Sequence, residues 1–322
     1  WSSVAQGYVD SGEPNVAISL YQDHRAVSSK FMLTSMLKAC AELQWIEKGR
    51  QIFMDIVKQG IETDLFVGNS LLDLHIKCGF LTEAWEIFEK LPFRDVVTWS
   101  ALMAGYAQYG HGHMALKCFE IMRIEGISPD SVSYICALNA CGITGSIEIG
   151  KSIHEEIMNY AEHLTDKDVV LGTALIDMYA KCGMLKTAQK VLDELPFRDV
   201  VAWSALIVGY AQHGYGHEAI DCFKQMQEEG LSPDTFTFSC ILKACGNTGS
   251  IHMGKRIHEE IVNKRFLEKS VVLGNALVDM YAKCGALRKA QEVFDKLCIR
   301  DVVSWNALIS AYAQEGQGHE AL

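Results

Sequence analysis

Residues 95–130 read DVVTWSALMAGYAQYGHGHMALKCFEIMRIEGISPD, and residues 199–234 read DVVAWSALIVGYAQHGYGHEAIDCFKQMQEEGLSPD, nearly the same text 104 residues later. A third copy opens at Asp301 as DVVSWNALISAYAQEGQGHEAL and runs to the chain end. Self-similarity at a fixed period is the signature of a repeat architecture. Working outward, the stretch VVLGTALIDMYAKCGMLKTAQKVLDELPFRD at 169–199 matches residues 65–95 and 271–301, each 31 residues long. A third kind of unit, patterned L-x-A-C-x-x-x-x-x-I-x-x-G, fills 30–64, 131–168 and 235–270. The three kinds follow one another in strict rotation. The chain therefore divides into 1–29, 30–64, 65–95, 96–130, 131–168, 169–199, 200–234, 235–270, 271–301 and 302–322, as one continuous array with no linker between units.

Each unit reads as two short helices. In 96–130, Trp99, Leu102, Met103 and Tyr106 recur at helical spacing, Gly110 and Gly112 interrupt, and Ala115, Leu116, Phe119 and Met122 resume until Gly126 and Pro129. Gly183 and Gly285 mark the same corner in the shorter units. Pro92, Pro129, Pro196 and Pro233 close the second helix of a unit, where a missing amide costs no internal hydrogen bond. A helix pair this small cannot bury its apolar face alone, whereas stacked pairs share a core. The expected fold is all-α, an α-solenoid of stacked helix–turn–helix repeats forming a superhelix with one concave face.

Composition narrows the function classes. Apolar residues make up 49% and charged residues 21%, which fits neither a disordered chain nor a coiled coil. No apolar run reaches the ~18 residues of a membrane helix, so no membrane partner is expected. The net charge of −11 argues against a duplex-DNA binder, which needs a broad basic field. Ten of the 11 cysteines recur in register, as in the K-C-G triplets at Cys78, Cys182 and Cys284, and Cys298 stands alone. No C-x-x-C occurs, so the cysteines read as small buried residues, not as metal ligands or a redox pair. Such thiols fit a reducing compartment. The chain begins with Trp rather than Met and is expected to be a fragment, with any targeting peptide outside it.

A 35-residue helix–turn–helix unit ending in G-x-x-P-D, alternating with 31-residue and longer variants, resembles the pentatricopeptide repeat family. The three-type rotation resembles its plant PLS subclass. The resemblance covers the whole chain and is specific. The related tetratricopeptide pattern wants W-x-x-L-G-x-x-Y, whereas Trp99, Leu102, Gly105 and Tyr106 place the glycine two residues later, as do Trp203, Leu206, Gly209 and Tyr210. The first unit, 1–29, departs most, with Pro14 near the start of its second helix and no closing P-D.

The resemblance implies sequence-specific binding of single-stranded RNA in a mitochondrion or chloroplast, one base per repeat. In the family, the fifth and last residues of a repeat read the base. Those positions hold Asn69 with Asp95, Ser100 with Asp130, Thr173 with Asp199, Ser204 with Asp234, and Asn275 with Asp301. The second residue stacks on the base and is Phe66, Val97, Val170, Val201, Val272 or Val303. The family's backbone-contact position falls on Lys77, Lys181 and Lys283.

The chemistry is sensible. An Asn amide offers a donor and an acceptor, which suits uracil, while the shorter Thr and Ser leave room for a purine. A terminal Asp accepts from the N1–H and N2–H donors of guanine. Each residue also has a plainer reading: a terminal Asp is a good helix N-cap, the second-position residues could be core, and the lysines could answer a helix dipole. Capping alone leaves unexplained why the fifth position stays polar in an apolar helix. The long units are poorer readers, with Thr34, Ile135 and Ser239 at the fifth position and Asp64, Asp168 and Ser270 at the last. The base at 30–64 stays undecided, and the other two are spacers. With the protein N-terminus toward the RNA 5′ end, the expected core is 5′-U-G-n-G-G-n-U-3′.

PLS proteins often carry a C-terminal cytidine deaminase, which needs H-x-E followed by P-C-x-x-C to hold zinc. His154/Glu156 and His258/Glu260 satisfy the first half, but the histidines replace Phe53 of the first long unit and read as packing residues. No P-C-x-x-C follows, and no other catalytic motif is present. The chain is expected to be no enzyme by itself and to need no cofactor or metal. Its expected partners are single-stranded RNA and an editing deaminase or editing factor. The rival class is a tetratricopeptide-type protein-interaction solenoid, whose concave face should carry large apolar or carboxylate-clamp residues instead of a polar pair per repeat.

Overall fold

A computed structural model of the chain describes residues 2–24, 29–61, 64–159, 169–268, 270–297, 299–314 and 316; Asp168 and Cys298 lie outside them. Every regular element among the described residues is helical. The chain divides into two compact units, 1–153 and 154–322. No change of composition marks this division, which falls inside a helix.

The first unit holds α1 (Ser2–Asp10), α2 (Pro14–His24), α3 (Lys30–Glu42), α4 (Ile46–Lys58), α5 (Leu65–Lys77), α6 (Leu81–Lys90), α7 (Val96–Gln108), α8 (Gly112–Ile124) and α9 (Ser131–Thr144). Helix α10 (Ile147–Asn159) contains the division. The second unit holds α11 (Val169–Lys181), α12 (Leu185–Glu194), α13 (Val200–Gln212), α14 (Gly216–Glu228), α15 (Thr235–Thr248), α16 (Ile251–Asn263), a 3₁₀ turn at Phe266–Glu268, α17 (Val271–Lys283), α18 (Leu287–Lys296) and α19 (Val302–Gln314). Odd-numbered helices are thus the first of each pair and even-numbered helices the second.

Within each unit the odd-numbered helices pack side by side in a row, α1 to α9 and α11 to α19. Even-numbered helices such as α6, α8, α14 and α16 pack mainly on the odd helix before and the odd helix after, with side-chain bonds such as that between Gln227 of α14 and Glu260 of α16 joining successive even helices. The odd row is therefore the more closely spaced layer of each unit. Its apolar residues explain why. On α7, Trp99, Leu102 and Met103 are buried, and Trp99 meets Phe88 of α6 edge to face at 4.5 Å. On α13, Trp203, Leu206 and Ile207 repeat the pattern.

The late glycine that separates these repeats from the tetratricopeptide pattern has a packing reason. A Cβ on Gly209 would lie 2.6 Å from the Ala180 Cβ and 3.3 Å from its Cα, where α13 crosses α11. Backbone cannot yield as a long side chain can. At the helix–helix corner, Gly183 has φ +77°, a left-handed conformation that suits glycine.

The two histidines of the H-x-E pairs are packing residues. His154 Nδ1 is 2.9 Å from the Tyr179 hydroxyl and His258 Nδ1 is 2.9 Å from that of Tyr281, with rings edge to face at 5.6 Å in both pairs. The first long and short repeats carry Phe53 and His75 at these two positions, and His75 Nδ1 donates to the Leu71 carbonyl at 2.8 Å. The residues at the two positions thus change together between copies. Glu260 is engaged elsewhere, accepting from Gln227 and Lys264 at 2.8 Å each. Among the described residues no group of three His, Cys, Asp or Glu side chains converges as a metal site, no disulfide joins the cysteines, and no helix is long and apolar enough to cross a membrane. Burial pushes the Cys40, Cys118, Cys222 and Cys245 thiols up to about 12.

Two stability predictions follow from this packing. Gly209→Ala should lower unfolding free energy by about 1–3 kcal/mol in urea titration, the usual cost of overpacking. Gly7→Ala on α1, where a Cβ meets nothing within 4 Å, should be neutral or slightly stabilising. The second concerns pH. Burial holds His154 and His258 below their ordinary value of 6.5. The unfolded chain therefore takes up these protons first on acidification. Their contribution is complete above pH 6.5 and is lost as pH falls toward the folded values. Replacing both by phenylalanine, on the Phe53 pattern, should shrink the drop in urea midpoint between pH 7.5 and 5.5.

Candidate nucleic-acid interface

The N-terminal ends of the odd-numbered helices bring the fifth, last and second positions of the repeats together. Helices α3, α5, α7, α9, α13, α15, α17 and α19 are each opened by the side chain of the residue before them. Asp95, Asp130, Asp199 and Asp234 each accept through Oδ1 from the backbone N–H three residues on, at 2.7–2.8 Å. Asp301 does the same toward Ser304 at 2.8 Å, and Asp64 caps α5 through Phe66 and Val67. The capping reading of the terminal Asp therefore holds. It occupies one oxygen: in Asp95, Asp130, Asp199 and Asp234, Oδ2 has no hydrogen-bond partner among the described residues. An N-cap that fixes one carboxylate oxygen leaves the other held in a constant direction.

The second-position residues are not core. Phe66, Val97, Val170, Val201, Val272 and Val303 are 58–71% exposed, an unusual state for large apolar side chains repeated in register. Phe31, Val132 and Phe236 of the long repeats are exposed in the same way. The fifth residues lie deeper. Ser100 and Ser204 are buried, and Asn69, Thr173 and Asn275 are half-buried. The result is a recurring cell, a polar pair at its floor and an exposed apolar side chain at its rim.

The reading pairs are connected in three ways. Asn275 Nδ2 donates directly to both oxygens of Asp301, at 3.0 and 3.2 Å, and its own Oδ1 is buried without a partner. In three other cells a buried hydroxyl from the third residue of the next repeat stands between. Ser133 Oγ lies 2.8 Å from Ser100 Oγ and donates to Asp130 Oδ1 at 2.7 Å. Thr237 Oγ1 lies 2.6 Å from Ser204 Oγ and donates to Asp234 Oδ1 at 2.6 Å. Thr98 Oγ1 lies 2.9 Å from Asn69 Oδ1 and 2.7 Å from Asp95 Oδ1. In the remaining cell that position is Ala202, and no hydrogen bond links Thr173 to Asp199; Thr173 Oγ1 donates instead to the Val169 carbonyl at 2.7 Å. The intervening residue is invisible in composition, because a small buried Ser, Thr or Ala passes for core.

Charge is arranged differently from a basic track. Lys77, Lys181 and Lys283 each pair with the carboxylate one turn earlier on the same helix, Asp73 at 3.0 Å, Asp177 at 2.6 Å and Asp279 at 2.8 Å. Each is the last residue of α5, α11 or α17, where a cation also answers the helix dipole. Asp301 is held below the usual carboxylate range, first by the Ser304 amide and then by Asn275 and the Ser304 hydroxyl. Sequence reading also missed the arginines beside the reading aspartates. Arg94, Arg198 and Arg300 each donate to two carbonyls at the end of the preceding helix, as Arg198 does to Leu192 and Asp193 at 3.0 and 3.2 Å. Arg94 and Arg198 also pair with Glu125 and Glu229 of the next repeat, at 3.1 and 2.6 Å. The in-register R-D dipeptide was its only signal.

The long repeats build poorer cells. Asp64 Oδ2 is taken by Lys30 at 2.8 Å, which holds its carboxyl below the usual range, and Thr34 turns its hydroxyl to the Phe31 carbonyl. Ser270 caps α17 through Leu273, and Ser239 donates to the Thr235 carbonyl. Ile135 offers no hydrogen bond to a base.

The comparisons with known proteins agree with this architecture. The profile described as "PPR repeat family" matches residues 94–142 and 198–247, and that described as "PPR repeat" matches 31–61, 69–96, 173–200, 275–302 and 303–322. A chloroplastic pentatricopeptide repeat-containing protein of Arabidopsis thaliana is 37% identical over 325 residues, covering 100% of this chain and 52% of its own length. A mitochondrial one from the same plant is 34% identical, over 100% of this chain and 53% of its own. The chain thus spans about half the length of these relatives. Among solved structures, the pentatricopeptide repeat protein PPR10 in complex with an 18-nt psaJ RNA element matches with a TM-score of 0.72 at 18% identity, covering 99% of this chain and 53% of that one. A structure of PPR10 from maize matches with a TM-score of 0.53. By its matched repeats and its stacked helix pairs, the chain belongs to the pentatricopeptide repeat family.

Proposed function

We propose that this chain binds single-stranded RNA in a sequence-specific manner, one base per reading repeat, with the core 5′-U-G-n-G-G-n-U-3′. The observation that carries the reading is the recurring cell, a polar pair below an exposed second-position side chain. Asn69/Asp95 and Asn275/Asp301 take U, and Ser100/Asp130, Thr173/Asp199 and Ser204/Asp234 take G. Phe66, Val97, Val170, Val201, Val272 and Val303 pack on the bases. A paired base has its edge occupied and its faces stacked, so a duplex fits these cells poorly. The rival protein-interaction reading calls for apolar or clamp residues where these pairs stand. The fold neighbour named with a bound RNA element supports the same reading.

The rotation of repeat types is that of the PLS subclass, and relatives named chloroplastic and mitochondrial point to an organelle. The chain then serves as a targeting module for organellar RNA processing such as C-to-U editing. The chemistry would come from a deaminase or editing factor, since this stretch carries no zinc motif. Lys77, Lys181 and Lys283 meet phosphate with their charge already partly answered by an intrahelical carboxylate.

Fluorescence anisotropy with the core in single-stranded and duplex form should show binding to the first and little to the second. Equal affinities would reject the reading. Because the lysines are already paired, affinity should fall with salt at a shallow slope, corresponding to about three phosphate contacts or fewer. Thr173→Asn, with Asp199 kept, should move the preference at that single base from G to U. Replacing that G by a pyrimidine in the parent complex should cost about 1–3 kcal/mol, as other base-edge contacts do.

A further inference from the structure

We infer that the buried hydroxyl at the third residue of the following repeat is a positioning group for base readout, which makes the serine cells acceptor-only and so selects guanine over adenine. The inference rests on the base-reading role proposed above. It comes from counting protons in the cell formed by Ser100, Ser133 and Asp130. Ser133 has one hydroxyl proton, and the carboxylate oxygen at 2.7 Å requires it. The 2.8 Å contact between the two serine oxygens must then be made by the proton of Ser100. Ser100 therefore has only lone pairs left for a base. In the second cell Thr237 gives its proton to Asp234, so the 2.6 Å contact between the Thr237 and Ser204 oxygens must likewise be made by the proton of Ser204, which the Val200 carbonyl also approaches. Ser204 too is left as an acceptor.

A base entering either cell thus faces two acceptors, the serine oxygen and the free carboxylate oxygen. Guanine answers with adjacent donors, N1–H and N2–H. Adenine has one donor, N6–H, beside the N1 lone pair, and that lone pair would meet another. The penalty lies in an unpaired acceptor in a half-buried cell, which costs more than a missing contact in water.

The cell of Thr173 and Asp199 is a natural control. Ala202 stands at the third position there, so the Thr173 proton rests on a carbonyl already used by the helix. That proton can turn to adenine N1 while Asp199 accepts from N6–H. Of the three guanine cells, this one should tolerate adenine best.

The test measures affinity of the full chain for the core RNA with G or A at each guanine site, and U or C at the first uracil site. Ser133→Ala should lower the G-over-A ratio at its own base by roughly threefold to tenfold, the size of one net hydrogen bond. The U-over-C ratio at the Asn69 cell should not move, which separates loss of orientation from loss of fold. Ser133→Thr keeps the hydroxyl and should restore the ratio. Ala202→Ser should raise G-over-A discrimination at the Thr173 cell. If the parent discriminates but Ser133→Ala discriminates equally well, the positioning role is overturned and the reading role stands. If the parent discriminates at no base, the reading role falls and this inference falls with it.

Discussion

The bond between a terminal aspartate and the amides that open the next helix is the contact on which the rest of the arrangement depends. It is worth about 1 kcal/mol as a cap. Its geometric effect is larger, because it fixes where α5, α7, α9, α13, α15 and α19 start. Once the start is fixed, helical spacing puts the second residue at the exposed rim, the third in the buried floor and the fifth beside the carboxylate. The arginine next to the aspartate ties the same short loop to the end of the preceding helix. Two helix ends and one reading oxygen are thus set by two adjacent residues.

Capping and reading are not rivals in this geometry. A carboxylate has two oxygens, and four of the aspartates give one to the helix and leave the other uncommitted. Asp64 shows the contrast. Its second oxygen is held by Lys30, and its repeat lacks a linked pair. The same residue type in the same register can therefore cap and keep an oxygen free, or cap with both oxygens engaged, depending on one neighbour.

The helix pairs were legible in the sequence because their punctuation is chemical. Gly183 needs a left-handed φ, and Pro196 cannot continue a helix. The pairs proposed as readers stood out because Asn69 or Ser100 is out of place in an apolar helix. The exposure of Val97 and Val201 was not, since valine is equally at home in a core and a pattern of apolar residues does not say which side faces water. The pairing of Lys77 with Asp73 was available from its spacing of four. The linking hydroxyls were hidden, because Thr98, Ser133 and Thr237 are fully buried and look like filler. The division inside α10 left no trace, because a helix that belongs to both units has no linker to betray it.

The hydroxyl chain also changes what counts as a transferable piece of this protein. Counted by sequence, a repeat ends at its aspartate. Counted by hydrogen bonds, the functional cassette runs past that boundary to the third residue of its neighbour, as from Ser100 to Ser133. The His154/Tyr179 and His258/Tyr281 pairs also straddle a seam between repeats. An engineer who transplants whole repeats cut at the aspartate would separate each recognition pair from its own hydroxyl and strand one ring of each packed pair. Splices placed just past the third residue of a repeat, as after Ser133, would carry each cassette across intact. The natural unit of exchange is offset from the written repeat by the few residues that reach from the aspartate to that hydroxyl.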